Sequence, residues 1–244
     1  MQLSYIFHSG FAIQAENVTV IIDYFFDSSV IPFKKGIVRK KLLKRPGKIY
    51  VLSSHHHKDH FNPKILEWKK IRPDIIYIFS KDILNHRLAA PTDATYLRKG
   101  DVYEDNSIRI EAFGSTDIGV SYYIRLQGMT FFHAGDLNNW HWNEESTEKE
   151  IWRAEKKFDE EMKLIRENVP EIDVVMFPVD PRLGKDYMKG PKQFIEQIKT
   201  VIFVPMHFAL RMRKANKFRK IANETGCHFL RIRHWEQTFD INLY

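Results

Sequence analysis

The sequence predicts an α/β fold in which two β-sheets pack together and helices lie outside them. Two blocks of short β-branched and aromatic runs predict strands, and each block is followed by segments with helical periodicity. The chain has 244 residues, of which 43% are hydrophobic, so it is long enough for one large buried core. We therefore predict a single globular domain spanning residues 1–244.

The first block begins with a meander of three strands, broken by Ser9-Gly10 and Glu16-Asn17. A basic helix, a strand and a histidine-rich loop follow, and the loop ends at Pro63, a favoured first residue of a helix. The predicted strands of this block are 3–7, 11–14, 18–24, 49–52 and 74–79, and the predicted helices are 37–43 and 81–87.

The second block contains strands joined by turns at Asp105-Asn106 and Gln127-Gly128. The longest helix is predicted at 147–168, because Thr147 precedes Glu150 by three residues in a capping box and apolar residues then recur at helical spacing. The predicted strands are 94–99, 102–104, 108–113, 120–126, 129–133, 174–177, 201–205, 229–232 and 238–243, and further helices are predicted near 192–198 and 215–224.

Cysteine and histidine usage limits the chemistry. The single cysteine, Cys227, excludes an intrachain disulfide and fits a reducing compartment. The 11 histidines are enough for a metal site held by nitrogen and oxygen alone. No apolar run approaches the roughly 18 residues of a membrane span, and the start resembles no secretion signal. We expect a soluble, cytoplasmic protein with no membrane partner.

The charge balance favours anionic partners. Lys and Arg total 38 against 31 Asp and Glu, and much of the excess lies in residues 33–48 and 211–220. We interpret these stretches as solvated helix faces. Nucleic acid remains an alternative partner, which the absence of interleaved aromatic residues in both stretches disfavours.

The segment SSHHHKDHF, residues 53–61, predicts a metal site at the end of the strand 49–52. In an extended segment side chains two apart point the same way, so His55, His57 and Asp59 can converge, and His60 can turn in beyond them. Imidazole and carboxylate are the ligands of a borderline divalent cation at a catalytic site. The alternative is a polar connecting loop, and we keep that interpretation for His56, which points to the other side.

Further ligands must come from elsewhere, because a loop this short cannot surround a cation. Asp136 in FFHAGDLN and His207 in VIFVPMHF each follow an apolar strand, the place where functional loops of α/β sheets gather. A turn role for Asp136 and a surface role for His207 are the alternatives.

These residues resemble the metallo-β-lactamase superfamily, in particular the branch of small bacterial metal-dependent hydrolases that includes the ascorbate-6-phosphate lactonases. The resemblance rests on Asp23 in IIDYF, on the motif from His55 to His60, on Asp136 in HAGD and on His207 in PMHF, which occur in the family's order. It implies a four-layer αββα sandwich of two mixed β-sheets, classed as α+β in some schemes.

The resemblance also implies a ligand set for two divalent cations. His55 and His57 would bind the first, His60, Asp59 and His207 would bind the second, and Asp136 would bridge them. Asp23 would accept a proton from a ligand histidine and fix its tautomer.

The family's third histidine for the first cation is missing from FGSTDIGVSYYI, where Asp117 is the nearest ligand-capable residue. If Asp117 substitutes, manganese or iron competes more strongly with zinc, which we expect otherwise. If Asp117 is a turn residue, we expect only one cation to be held tightly.

Substrate contacts are predicted in the segment PVDPRLGKDYMKG, which resembles the family's active-site loop. Arg182 could pair with a phosphate or carboxylate, with Tyr187 beside it, and His133 could face the site. The alternatives are a surface ion pair for Arg182 and a core position for His133. His8 and residues 140–142 could form a pocket wall, but the sequence favours simple aromatic packing for them.

The function predicted is a metal-dependent hydrolase that uses a metal-bridging hydroxide on a small anionic ester, lactone or phosphoester, with Asp59 or Asp136 handling protons. The alternatives are a phosphodiesterase or nuclease on the same cations, a non-catalytic metal-binding protein, and a redox di-iron unit, although no flavin partner domain is recognisable. The sequence does not determine the substrate, the native metal or the oligomeric state. A homo-oligomer is one possible state.

Overall fold

A computed structural model describes residues 1–27 and 36–242. Residues 33–35 of the first basic stretch and residue 243 of the last predicted strand lie outside the described residues. The chain divides into two compact units, the first formed by residues 1–98 and 233–244 and the second by residues 99–232. The assignment of the whole chain to a single domain stays a prediction.

The described residues form the following strands: β1 (Gln2–Phe7), β2 (Gly10–Gln14), β3 (Val18–Ile22), β4 (Lys48–Ser53), β5 (Ile76–Ser80), β6 (Thr95–Leu97), β7 (Val102–Glu104), β8 (Arg109–Phe113), β9 (Ser121–Leu126), β10 (Met129–His133), β11 (Glu171–Pro178), β12 (Lys199–Met206), β13 (His228–Phe229) and β14 (Thr238–Asp240). The α-helices are α1 (Ile37–Lys40), α2 (Lys81–Asn85), α3 (Glu148–Asn168), α4 (Lys189–Gln197), α5 (Met212–Ala215) and α6 (Arg219–Glu224), and 3-10 helices lie at Leu42–Lys44, Pro63–Lys70, Pro181–Asp186 and Asn216–Phe218.

The first unit contains a mixed sheet with the order β14-β1-β2-β3-β4-β5-β6. Its pairs are antiparallel from β14 to β3 and parallel from β3 to β6. Because β3 and β4 are parallel neighbours, their carboxyl ends meet at one edge of the sheet, where Asp23 and residues 54–61 follow. β3 and nearly all of β4 are buried, as expected for parallel strands covered on both faces.

The second unit contains a mixed sheet with the order β13-β12-β11-β10-β9-β8-β7. The pairs from β7 to β10 are antiparallel, and those from β10 to β13 are parallel. Asp136, Asp180 and His207 follow β10, β11 and β12, so all three lie at the carboxyl edge of the parallel strands. The predicted fold class, α/β with two mixed sheets and helices, is confirmed.

Helix α3 begins as its sequence predicts. The Thr147 side chain accepts from the Glu150 amide at 3.4 Å, and the Glu150 carboxylate accepts from the Thr147 amide at 2.9 Å. The helix buries Phe158, Met162 and Ile165, which are spaced by four and three residues and therefore share one face. The capping box satisfies amide donors that the first turn otherwise leaves without a partner.

Several helical predictions differ from the structure. The predicted helix 37–43 is divided into α1 and the 3-10 helix Leu42–Lys44. The predicted helix 215–224 is divided into α5, a 3-10 turn and α6. The segment 178–190, expected to be irregular, contains a 3-10 helix whose start is fixed by the Asp180 side chain, which accepts from the Arg182 amide at 2.9 Å, and by Pro181 at its first turn.

Among the described residues, no helix combines the length and the apolar character needed to cross a lipid bilayer.

Candidate metal centre

The histidine loop of the first unit turns back on itself directly after β4. The amides of His60 and Phe61 both donate to the His57 carbonyl, at 2.9 and 2.8 Å. The prediction treated residues 55–59 as extended, with His60 turning in beyond them, and the observed turn returns His60 to His55, whose ring centroid lies 4.0 Å away. A turn therefore gathers the imidazoles more tightly than strand alternation would.

Asp23 organises this loop from the end of β3. It is fully buried, with a left-handed φ of 49°, and its carboxylate accepts from the Ser54 amide and hydroxyl at 2.7 Å each. His60 Nδ1 lies 2.7 Å from Asp23 Oδ2. Since a carboxylate only accepts, the proton is on Nδ1, and Nε2 carries the lone pair that a cation needs.

His55 and His57 present two nitrogen donors side by side. His55 Nε2 lies 3.1 Å from His57 Nδ1, while the Ser54 hydroxyl is 3.0 Å from His55 Nδ1. Zinc ligands about 2.0–2.1 Å from the ion at a tetrahedral angle lie roughly 3.3 Å apart. The pair therefore has the spacing and the chemistry of two ligands to one divalent cation.

Asp59 lies between two other histidines. Its Oδ2 atom is 3.1 Å from His8 Nε2 and 3.9 Å from His60 Nε2, and the three residues offer ligand atoms within 4.8 Å of one another. Sequence reasoning treated His8 as a weak candidate for a pocket wall. Its position immediately after β1, at the sheet edge, is the signal that could have placed it with Asp59.

His56 points away from these groups. Its amide and its Nδ1 atom both lie 2.8 Å from Asp82 Oδ2, and its ring stacks on His86 with centroids 3.7 Å apart. The structure thus gives His56 a separate set of partners.

In the second unit, His207 contacts two of the aspartates at the carboxyl edge of the sheet. It follows β12 with a φ of 61°, its Nδ1 atom is 3.0 Å from Asp180 Oδ2, and its Nε2 atom is 3.2 Å from Asp136 Oδ1. With the proton on Nδ1, the Nε2 lone pair faces a carboxylate oxygen, an arrangement that a divalent cation stabilises. The donor chemistry of the pair therefore fits a metal.

Asp180 was missed by the sequence analysis. Burial raises the pKa of this carboxyl, but hydrogen bonds from His207 and Arg182 outweigh burial and hold the pKa at about 2. The signal was available, because Asp180 follows β11 in the same way that Asp136 follows β10.

The predicted substrate contacts have partners within the second unit. Arg182 donates to Asp180 Oδ2 from Nε at 2.8 Å and from Nη2 at 2.6 Å. The hydroxyl of Tyr187, a buried residue, donates to the Lys214 carbonyl at 2.9 Å. Their contact with substrate stays a prediction.

Asp117 lies in the exposed loop between β8 and β9. Its carboxylate offers an oxygen within 4.8 Å of one from Asp136. The preceding Thr116 hydroxyl is 2.6 Å from the Asn138 carbonyl and 3.2 Å from that of Asp136, and Lys157 donates to the Thr116 carbonyl at 2.7 Å. These bonds hold the Asp117 loop beside Asp136.

The remaining predicted residues line the same edge of the second sheet. His133 is fully buried on β10, and its Nδ1 atom accepts from the Gly135 amide at 3.2 Å. The Trp140 indole donates to the Asp136 carbonyl at 2.8 Å and packs with its ring centroid 5.5 Å from that of His207. Trp140 therefore limits the orientation of both ligand candidates.

Residues 2–151 match the family model described as a β-lactamase superfamily domain. Two solved structures resemble the chain along nearly its whole length. A novel metallo hydrolase from Ignicoccus hospitalis has a TM-score of 0.68 with 17% identity, over 99% of both chains. A putative metal-dependent hydrolase from Parabacteroides distasonis has a TM-score of 0.62 with 16% identity, over 93% of this chain and 90% of that one.

A third structure, CmlA, a diiron β-hydroxylase from Streptomyces venezuelae, has a TM-score of 0.69 with 14% identity, over 98% of this chain and 54% of that one. At these identities the structures share the fold with this chain. No curated protein matches it in a sequence comparison.

Proposed function

The chain belongs to the metallo-β-lactamase superfamily, and from that premise we propose that it is a metal-dependent hydrolase of small anionic esters, lactones or phosphoesters. The observation that carries the proposal is the donor chemistry of its histidines. Buried carboxylates, Asp23 and Asp180, accept from the Nδ1 atoms of His60 and His207, which prepares both Nε2 atoms as ligands.

We propose that seven residues hold two divalent cations, zinc by preference: His55, His57, Asp59, His60, Asp117, Asp136 and His207. When bound, the cations would supply Lewis acidity and activation of water at neutral pH. The placement of Asp117 beside Asp136 supports its role as the replacement for the missing histidine, and an oxygen ligand there makes manganese or iron a stronger competitor to zinc.

Asp59 and Asp136 are the proposed proton-handling residues. Asp59 Oδ2 lies 3.1 Å from His8 Nε2, so a proton taken up by the carboxylate has the His8 imidazole as a neighbour that can accept it. Asp136 contacts His207 on one side and has its backbone fixed by Trp140. The fixed carboxylates need little reorganisation when a proton is transferred.

The anionic character of the proposed substrate follows from the net charge of +7 and from Arg182. About half of the Arg182 side chain is exposed to solvent, and its Nε and Nη2 atoms donate to the Asp180 carboxylate. Arg182 is therefore oriented before substrate arrives, and we propose that its guanidinium contacts a carboxylate or phosphate of the substrate.

Within this class we propose a lactone or ester, by resemblance to the ascorbate-6-phosphate lactonases. The support is the order of the motifs around Asp23, His55 to His60, Asp136 and His207. A cytoplasmic setting belongs to the proposal, since one buried thiol suits a reducing compartment.

The test is hydrolysis of lactones, carboxylic esters, phosphoesters and thioesters by protein loaded with zinc or manganese. His57→Ala and Asp136→Ala should each lower kcat/KM by more than about 100-fold, because each removes a ligand. His228→Ala, which alters an exposed histidine on β13, is the matched control and should keep wild-type activity. Full activity in either ligand variant would refute the assignment.

A further inference from the structure

The first unit contains a cavity of about 630 Å³ beside the histidine loop. The described residues that line it are Phe25, His56, His57, Lys58, Phe61, Asn62, Pro63, His86 and Leu88. The volume lies within the usual range for small-molecule sites. One lining residue, His57, is also a proposed metal ligand, so an occupant of the cavity would lie next to the reaction centre.

The apolar wall of this cavity is built on aromatic packing. Phe61 is buried and meets the Phe79 ring edge-on at 5.3 Å. Phe25 packs with Phe7 at 6.0 Å and with Phe26 at 4.6 Å. Such packing fixes the rings before any ligand is present.

Hydrogen bonds fix another part of the cavity lining. The Asn62 side chain donates to the Phe25 carbonyl at 2.5 Å and accepts from the Lys64 amide at 3.1 Å. Pro63, at the start of the following 3-10 helix, adds a rigid apolar surface. A ligand therefore meets a preformed shape and does not have to order it.

The lining also includes flat rings and one cation. His56 is held by two contacts to Asp82 and stacks on His86 with an interplanar angle of 12°. Lys58 is an exposed lining residue, and none of the nine described lining residues is acidic. The lining therefore favours a planar apolar group that carries a negative charge beside it.

We propose that this cavity is the specificity pocket of the enzyme and that it binds the aromatic group of an anionic ester or lactone, with Lys58 facing the anion. The proposal rests on the proposed function for the reaction and on the cavity for the choice of substrate. The proposal predicts that an aromatic substrate is preferred over a sugar phosphate, because a sugar phosphate would leave the phenylalanine and leucine side chains of the cavity without apolar contact.

The binding test uses 1-naphthoate, which cannot be hydrolysed, titrated into the metal-loaded protein with acetate as the reference for carboxylate binding alone. Leu88→Asp places an acid in the cavity and should weaken naphthoate binding by at least about tenfold, since it removes apolar contact and repels the anion. Leu210→Asp is the matched control, because Leu210 is exposed and does not line the cavity.

A second variant pair separates the charge from the apolar wall. Lys58→Met should weaken naphthoate binding, whereas Lys70→Met, at an exposed lysine outside the cavity, should not. Naphthoate affinity equal to that of acetate, or unchanged by both Leu88→Asp and Lys58→Met, would overturn the proposal.

The reaction test compares the benzyl and methyl monoesters of succinate. The wild type should prefer the benzyl ester in kcat/KM by roughly tenfold or more, and the preference should fall toward one in Leu88→Asp. Hydrolysis of both esters without this preference would contradict the specificity-pocket proposal but would agree with the proposed hydrolase function. Naphthoate binding that depends on Leu88, without hydrolysis of any ester, supports the pocket and contradicts the proposed function.

Discussion

Two buried carboxylates have the same role in the two units. Asp23 and Asp180 each follow a parallel strand, and each accepts from the Nδ1 atom of a proposed ligand histidine, at 2.7 and 3.0 Å. Such carboxylates fix the imidazole tautomer and increase its basicity. The ligand histidines therefore depend on residues that need not touch a cation.

Asp180 should make stability depend on pH in the metal-free protein. Its folded-state pKa of about 2 lies below the unfolded value of about 3.9. At pH values above the unfolded-state pKa, the lowered pKa of Asp180 stabilises the folded protein. This stabilisation is lost as the pH falls through the folded-state pKa. The pH-dependent part is about 2 kcal/mol at pH 7, and roughly half is lost at pH 3.

Urea unfolding of wild type and Asp180→Asn at pH 7 and pH 3 measures this effect. The difference in the free energy of unfolding between the two proteins should shrink as pH falls. Asp74→Asn, at an exposed ion pair, is the control and should change stability by less than about 0.5 kcal/mol. A difference that is constant with pH would contradict the assigned role.

Cys227 reports whether the second unit is folded. Burial raises the pKa of its thiol to about 11, and the sulfur contacts the Thr200 carbonyl at 2.8 Å. At pH 8 iodoacetamide should therefore label the native protein at least about 100-fold more slowly than protein in urea. Rapid labelling without denaturant would show that this region is not packed as described.

Candidate site residues could be selected from the sequence where a polar residue followed an apolar strand. Asp136 and His207 were selected in this way, whereas Asp23, inside the predicted strand 18–24, was selected through the family resemblance. Asp180 and His8 also follow strands, but their partners were not predicted, because no local pattern shows that an aspartate will meet the Nδ1 atom of a histidine 27 residues away.

At the scale of elements, the start of α3 should contribute measurably to stability. Thr147→Ala removes a side chain that accepts from the Glu150 amide, and we expect a loss of about 1 kcal/mol in the free energy of unfolding. Ser146→Ala, one residue earlier and outside the capping box, is the matched control. Equal stability of Thr147→Ala and wild type in urea would contradict the capping assignment.

Strands were predicted more closely than short helices. The strand β10 has the predicted limits, and the turn before it at Gln127-Gly128 has φ values of 48° and 79°, as a tight hairpin turn requires. Residues 215–224 were predicted as one helix, yet the structure has a short α-helix ending at Ala215, a 3-10 turn and the helix α6 there. Periodicity cannot distinguish these turns, because both place residues three apart on one side.

At the scale of the whole molecule, the two sheets repeat one plan. In each sheet antiparallel strands lead to parallel strands, and the residues of the proposed metal centre, apart from Asp117, follow the carboxyl ends of the parallel ones. Loops at those ends are free to carry functional side chains because the strands behind them are held by buried apolar faces. The two β-rich blocks predicted two sheets, but the order of antiparallel and parallel strands within each sheet was not predicted from the sequence.

The binding of two divalent cations by residues from β-strand ends is the central claim, and elemental analysis of protein purified without added metal tests it most directly. We expect close to two ions per chain in the wild type and in His228→Ala, and the loss of at least one ion in each of His57→Ala and His207→Ala. A wild-type protein that holds no metal, even after incubation with zinc or manganese, would contradict the claim, as would full metal content in both ligand variants.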